Sequence, residues 1–268
     1  MADSKIVFIT GANTGIGFQI VRALYSADKP YTVIVGSRSP AKAEEAINSL
    51  QAEFPSSKNS LVPLTIDIES DESIEKAAEE IGSQFGRVDA LINNAGAQFD
   101  MPITTGTLTT RDAWLKSWNV NVAGTQILTT AVAPLLLKSS DPRLLFVTSG
   151  TSSLSNSVRR TIPIDNPAPA GWPKAEKAFS AASYRTAKTG LNMLVRVWDG
   201  LLKNDGVKVW AVSPGLLATG LAGGPEVMKK VFNAEDASVA GPFFRGILEG
   251  ERDGDVGLVV SRAGVQPW

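Results

Sequence analysis

Tyr184 and Lys188 stand four residues apart, in Tyr184-Arg185-Thr186-Ala187-Lys188, within a chain of 268 residues that contains neither histidine nor cysteine. Residues four apart share a helix face, so a phenol and an ammonium can address one ligand if residues 180–203 are helical, as their spacing predicts. The chemistry open to such a pair is proton transfer by the phenol, with the ammonium as its electrostatic partner. Composition excludes imidazole catalysis, a thiol nucleophile, a Cys/His zinc site, a Ser-His-Asp triad and disulfides. Moving a tyrosine from a pKa of about 10 to about 7 takes roughly 4 kcal/mol of preference for the phenolate. One cation at ~4 Å and an effective dielectric of ~20 supplies about that much before desolvation opposes it. By itself, the pair fits two unrelated residues on an exposed helix face equally well.

The elements that must position the pair can be read along the chain. With 43% hydrophobic residues and a net charge of -1, from 26 basic and 27 acidic side chains, the sequence can bury one large core and carries no basic field for nucleic acid. It shows no signal-peptide core and no apolar run long enough to span a membrane, so a single-domain cytosolic (cytoplasmic) protein is expected. Residues 5–10 (KIVFIT) form a continuous apolar strand, followed by a turn containing Gly11, Gly15 and Gly17 and by helical spacing at Ile16, Ile20, Val21 and Leu24. Such a strand, glycine turn and helix can bring free N–H groups to a pyrophosphate, or simply turn the chain. Its G-x-x-x-G-x-G spacing is not the common G-x-G-x-x-G fingerprint.

A second strand, residues 31–36, ends in Ser37-Arg38 where ribose recognition is expected and where no carboxylate stands. Arg38 can pair with a 2′-phosphate, favouring NADP(H), or can remain a solvated charge. A third strand, residues 61–66, precedes Asp67, placed either to meet an adenine or to serve as a helix cap or loop carboxylate before the helix over residues 70–85. A fourth, residues 88–92, runs into Asn93-Asn94-Ala95-Gly96, small enough to turn beside a flat ligand. Residues 111–137 read as one long helix, interrupted by Asn119, Asn121 and Gly124 in a way that a kink, a functional opening or loose packing would explain. Strands at 143–148 and 207–212 deliver Ser149 and Pro214-Gly215 to the same edge, and residues 257–260 form a last strand. The proline-rich residues 151–179 have no periodicity and read as an irregular insertion. A short helix is expected near residues 226–232, and the terminal Trp268 is expected to dock on apolar surface.

In order, Thr10-Gly11-x-x-x-Gly15-Ile16-Gly17, Asn93-Asn94-Ala95-Gly96, Asn121, Ser149, Tyr184-x-x-x-Lys188 and Pro214-Gly215 resemble the short-chain dehydrogenase/reductase family along nearly the whole chain. The resemblance implies an α/β, Rossmann-like, doubly wound and mostly parallel seven-stranded sheet in three layers. It implies that Tyr184 is the catalytic acid/base, that Lys188 supports it and bonds the nicotinamide ribose, that Ser149 holds the substrate oxygen and that Asn121 supports a water relay. NADP(H) would then lie on Gly11, Asn13, Thr14, Gly15, Ile16 and Gly17, with Ser37 and Arg38 at its ribose and Asp67 and Ile68 near its adenine. Asn94, Ala95 and Gly96 would flank it, and Pro214, Gly215, Leu217 and Thr219 would meet its nicotinamide end, where Tyr184 and Lys188 also stand.

The long stretch before Tyr184, Ala222-Gly223 and the terminal Trp268 look like the carbonyl reductase branch, in which the insertion covers the face through which most relatives oligomerise. A monomer acting on a small-molecule carbonyl or alcohol is thereby implied. The insertion at 151–179 and the segment at 220–233 would shape the substrate pocket, together with residues 97–110. Phe99, Trp172, Phe179 and Leu217 are its apolar candidates, or else core. A dinucleotide-binding sensor or scaffold, or an isomerase or cyclase on the same fold, is the alternative reading.

Overall fold

The strands are apolar on both faces because both faces are covered, and the period of two is hidden inside each apolar run. The computed structural model describes residues 4–174 and 181–268. In β1 (Lys5–Ile9), Ile6 and Phe8 point into one layer, whereas Val7 and Ile9 point into the other. The same alternation runs through β2 (Tyr31–Ser37), β4 (Ala90–Asn93) and β5 (Arg143–Val147), whereas the edge strand β3 (Ser60–Thr65) buries only Leu64 fully. One face packs on α1 (Gly15–Tyr25) and α2 (Pro40–Glu53), through Ile20, Leu24, Ile47 and Leu50. The other packs on α3 (Asp71–Phe85), whose Ile74, Ala77 and Ile81 give a buried stripe to an otherwise solvated helix.

Between β4 and β5 the chain forms α4 (Asp100–Thr104), α5 (Thr110–Trp118), a π-helical turn (Asn119–Ala123) and α6 (Gly124–Leu136). The expected interruption of the long helix is therefore a π-turn holding Asn121. Gly124 explains the close fit of this region: a Cβ there would run into the carbonyl oxygen of Ile68, at the ligand edge of the sheet. After β5 come α7 (Leu154–Arg159), α8 (Ala182–Leu202) and β6 (Lys208–Ser213). Beyond β6 lie β7 (Leu217–Ala218), α9 (Pro225–Phe232), β8 (Glu235–Asp236) and α10 (Ala240–Leu248). The chain ends in β9 (Val259–Ser261) and β10 (Gly264–Gln266).

The central sheet has eight strands in the order β10-β9-β6-β5-β4-β1-β2-β3, one more than the seven expected. The additional strand, β10, pairs antiparallel with β9 through a tight turn, Gly264 taking a φ of 128°. Three residues are too few to show a period in sequence. All other pairings in this sheet are parallel, and β7 and β8 form a small sheet of their own. The chain leaves β1 toward β2 and β3, then crosses to β4 on the other side. Ligand sites in such sheets lie at this reversal, beyond the strand ends.

Residues 151–174 are less irregular than expected, forming two short 3₁₀ turns and α7. They leave Trp118, Met193 and Val197 exposed on α5 and α8, so the cover that the resemblance implied is not seen among the described residues. Trp268 packs against the central core, and its carbonyl oxygen accepts from the Ser155 N–H at 3.0 Å.

Candidate active site

The ends of β1 to β5, with α8 and the π-turn, bring the sequence-predicted polar residues to one edge. Tyr184 lies in the first turn of α8, partly buried, with its phenol beside Ser149, just beyond β5. Removal from water pushes the phenol up to about 12, and the Ser149 contact pulls only partly against this. One turn further along, Lys188 is buried and donates to the Val147 carbonyl oxygen at 2.9 Å. Burial pushes its ammonium down to about 8.

Burial, rather than the nearby Lys188, sets the direction in which the phenol is displaced. The Lys188 Nζ stands 5.8 Å from the Tyr184 ring centroid, and its own desolvation opposes the charge it would contribute. Burial keeps the Tyr184 phenol in its protonated form. Ser149 is oriented by Thr151, whose hydroxyl lies 2.9 Å from the serine oxygen and whose N–H donates to it at 3.2 Å.

Asn121 approaches the pair through the π-turn. Its amide donates to the carbonyl oxygens of Ala97 and Ser117, both at 2.8 Å, and its Oδ1 accepts from the Ala97 N–H at 3.3 Å. A Cβ on Gly96 would sit 2.9 Å from Asn121 Oδ1 and 3.1 Å from Lys188 Nζ, so a side chain there would push on both groups. Asn121, Lys188 and Gly96 thus share one small volume.

The glycine turn has features that fit a dinucleotide. Gly11 and Gly15 take φ of 60° and 56°, which other residues adopt only with strain. Thr14, ahead of α1, is extended and caps no helix N–H with its side chain, leaving the helix start open to a phosphate, with Asn13 and Ile16 on either side of it. Gly17 serves packing: a Cβ there would press on the Gly11 carbonyl oxygen and lie 2.6 Å from Asn94 Nδ2. Asn94 braces the turn from within, donating to the carbonyl oxygens of Thr10 (2.7 Å) and Gly11 (3.1 Å). Thr10 in turn accepts the N–H groups of Asn94 and Ala95.

At the far end of this cradle Ser37 is buried and Arg38 is exposed, 3.9 Å from Glu69. Asp67 accepts from the Glu69 N–H at 3.1 Å, whereas Ser70 caps α3, which settles the capping alternative against Asp67. Ile68 is buried beneath the π-turn. Gly215, after Pro214, takes a φ of 110°, and Thr219 stands within contact distance of a Cβ placed on Gly15.

Leu217 is buried in the core between the sheet and α1, and Phe99 packs against the opposite core under Lys116. Trp172 is 78% exposed, and Phe179 lies outside the described residues, as does the expected helix start at Ser180. Sequence reasoning missed Asp100, Ser117 and Ser183, a buried polar set behind Tyr184. Their separation along the chain gives no periodic signal. The one available hint was local, since Ala181-Ala182 offers no side chain to cap α8.

Residues 5–160 match the family model described as short chain dehydrogenase. The chain is 44% identical to the short-chain dehydrogenase/reductase eupG of a Phoma species over 272 aligned positions, covering 98% of this chain and 97% of that one. It is 40% identical to tropE of Talaromyces stipitatus, covering 100% and 99%. Among solved structures it is similar to an NADPH-bound carbonyl reductase from chicken fatty liver, with a TM-score of 0.78 at 24% identity over 99% of both chains. An archaeal alcohol dehydrogenase from Thermococcus sibiricus, complexed with 5-hydroxy-NADP, gives 0.73 at 23% identity over 97% of this chain and 96% of that one. These structural likenesses are to the fold. With the strand order, the glycine turn and the Ser149, Tyr184 and Lys188 cluster, the sequence matches place this chain in the short-chain dehydrogenase family of oxidoreductases.

Proposed function

We propose that the protein reduces a ketone or aldehyde with NADPH, with Tyr184 as the general acid. The observation that carries this reading is the Tyr184 phenol, held protonated by burial, beside Ser149 and one turn from the buried Lys188. The dinucleotide, when bound, supplies the hydride. The chain's own residues do the rest: Ser149 orients the carbonyl oxygen, and Tyr184 delivers a proton to that oxygen as it gains charge. Lys188 holds a positive charge below the phenol and offers a donor to a ribose hydroxyl. Asn121, fixed by the π-turn, supports a water path for the proton that refills Tyr184.

Arg38 supports NADP(H) over NAD(H). It is exposed at the end of β2 with a weak partner, Glu69, and Ser37 before it carries no charge that would repel a 2′-phosphate. The chicken carbonyl reductase of the same fold binds NADPH, which agrees with this preference. Residues 97–110, 151–179 and 220–233 frame the substrate side, and a monomeric enzyme remains part of the proposal. A spectrophotometric scan of NADPH consumption over a panel of ketones and aldehydes tests it. Turnover with at least one carbonyl, lost in Tyr184→Phe, is expected; a Tyr184→Phe protein with full turnover overturns it.

A further inference from the structure

Helix α8 begins without a cap of its own. Ala181, the residue before it, has no polar side chain and takes a φ of 54°. The first N–H groups of a helix have no intrahelical acceptor, and burying them unmet is costly. Here they are met from another element. Asp100, the first residue of α4 and 6% exposed, accepts from the Ser183 N–H at 2.8 Å and from the Tyr184 N–H at 3.2 Å. Its second oxygen also accepts the Ser183 hydroxyl at 2.9 Å. One carboxylate thus takes three donors from two successive residues, one of them the peptide of Tyr184 itself.

The contacts continue. The Ser183 hydroxyl lies 2.8 Å from that of Ser117, both buried, in the last turn of α5. The Ser117 carbonyl oxygen accepts from Asn121 Nδ2 at 2.8 Å. Asp100, Ser183, Ser117 and Asn121 therefore form a continuous buried run joining the start of the Tyr184 helix to the π-turn. A negative charge at a helix start also complements its dipole.

We propose that Asp100 is a positioning residue. It caps the Tyr184 helix from another part of the chain and, through Ser183 and Ser117, sets the phenol against Asn121. This rests on the reductase reading above for its catalytic consequence, though not for the cap itself. Misplacing a proton donor by a fraction of its reach lowers the rate of the chemical step while leaving a distant binding surface intact.

The experiment compares wild type with Asp100→Ala, Asp100→Asn and Ser183→Ala in two measurements. The first is amide hydrogen exchange of the purified protein without substrate. In Asp100→Ala, faster exchange is expected at residues 183–185, with the rest of α8 unchanged. The second is steady-state kinetics with NADPH and a carbonyl substrate. There a fall in kcat of about 10- to 100-fold is expected, with the KM for NADPH within about 2-fold of wild type. Asp100→Asn keeps one accepting oxygen but sets its amide N–H against one of the two backbone donors, so a kcat between those of wild type and Asp100→Ala is expected.

Wild-type exchange at 183–185 in Asp100→Ala overturns the cap, and unchanged kcat overturns the positioning role. So does a uniform loosening of α8 with parallel loss of NADPH binding, which would mark a general packing role. Should Asp100→Ala not fold, Ser183→Ala decides: it keeps the backbone contacts and removes the link to Ser117, and a kcat equal to wild type would then overturn the proposal. Exchange needs no turnover, so a wild type that consumes no NADPH with any carbonyl would sink the reductase reading while the cap is still tested.

Discussion

Tyr184 and Lys188 are displaced from their ordinary pKa values in opposite directions by the same cause, and each displacement has a measurable consequence. Tyr184, pushed up to about 12, keeps its proton throughout the working range, so removal of its hydroxyl should remove the acid. Tyr184→Phe is expected to lose about 10²- to 10⁴-fold in turnover with NADPH affinity retained, measurable by steady-state rates and fluorescence titration. Lys188, lowered from 10.5 to about 8, should set the upper limb of the pH profile. The kcat/KM for NADPH, which reports the free protein, should fall as pH rises through about 8. Lys188→Arg should abolish that inflection; its survival would assign it to another group. Stability follows with the sign of a lysine depressed by burial. The unfolded chain holds the Lys188 proton up to 10.5 and the folded one only to about 8, so the cost is full below pH 8 and is relieved between 8 and 10.5. Thermal melts should therefore show wild type gaining on Lys188→Met across that window.

The π-turn and the clasp beside Tyr184 carry function at the scale of elements. Gly124 lets α6 approach Ile68, and Asn121 sits in the widened turn just before it. Gly124→Ala should cost about 1–3 kcal/mol or more in a denaturant melt, by overpacking, and should weaken turnover through displaced Asn121. On the other flank of Tyr184, Arg185 donates to the Thr151 carbonyl oxygen at 2.9 Å and pairs with Asp165, which also accepts the Ser157 hydroxyl. The Asp165 side chain is 2% exposed, so this pair ties residues 151–165 to the catalytic helix where solvent screens it little. Asp165→Asn should raise the KM for the carbonyl about 10-fold and leave the KM for NADPH within about 2-fold, because the strand ends proposed to hold the dinucleotide are not touched. Equal changes in both constants would show that the clasp supports the whole site.

Across the molecule, the proposed preference for NADP(H) rests on segments that meet only at the edge of the sheet. Arg38 leaves β2 and Glu69 follows β3, and their exposed pair at 3.9 Å leaves the guanidinium able to engage a phosphate. Arg38→Ala should raise the KM for NADPH about 10- to 100-fold and change that for NADH little, in parallel initial-rate assays. Residue types and their local spacing already determined much of this protein: the absence of His and Cys left a phenol and an ammonium as the candidate proton machinery, and the apolar strand runs implied strands covered on both faces, which the family resemblance arranged in a mostly parallel sheet. The glycine turn was legible because a positive φ selects glycine locally. Tertiary structure alone decided which way burial moves Tyr184 and Lys188, since desolvation depends on everything packed around a group. It likewise decided the eighth strand, too short to show a period, and the π-turn that turns an interrupted helix into a seat for Asn121. The cap of α8 belongs to the same class. Asp100 reaches Ser183 and Tyr184 across 83 and 84 residues of chain, and a hydrogen bond closed over that separation leaves no pattern in the sequence on either side of it.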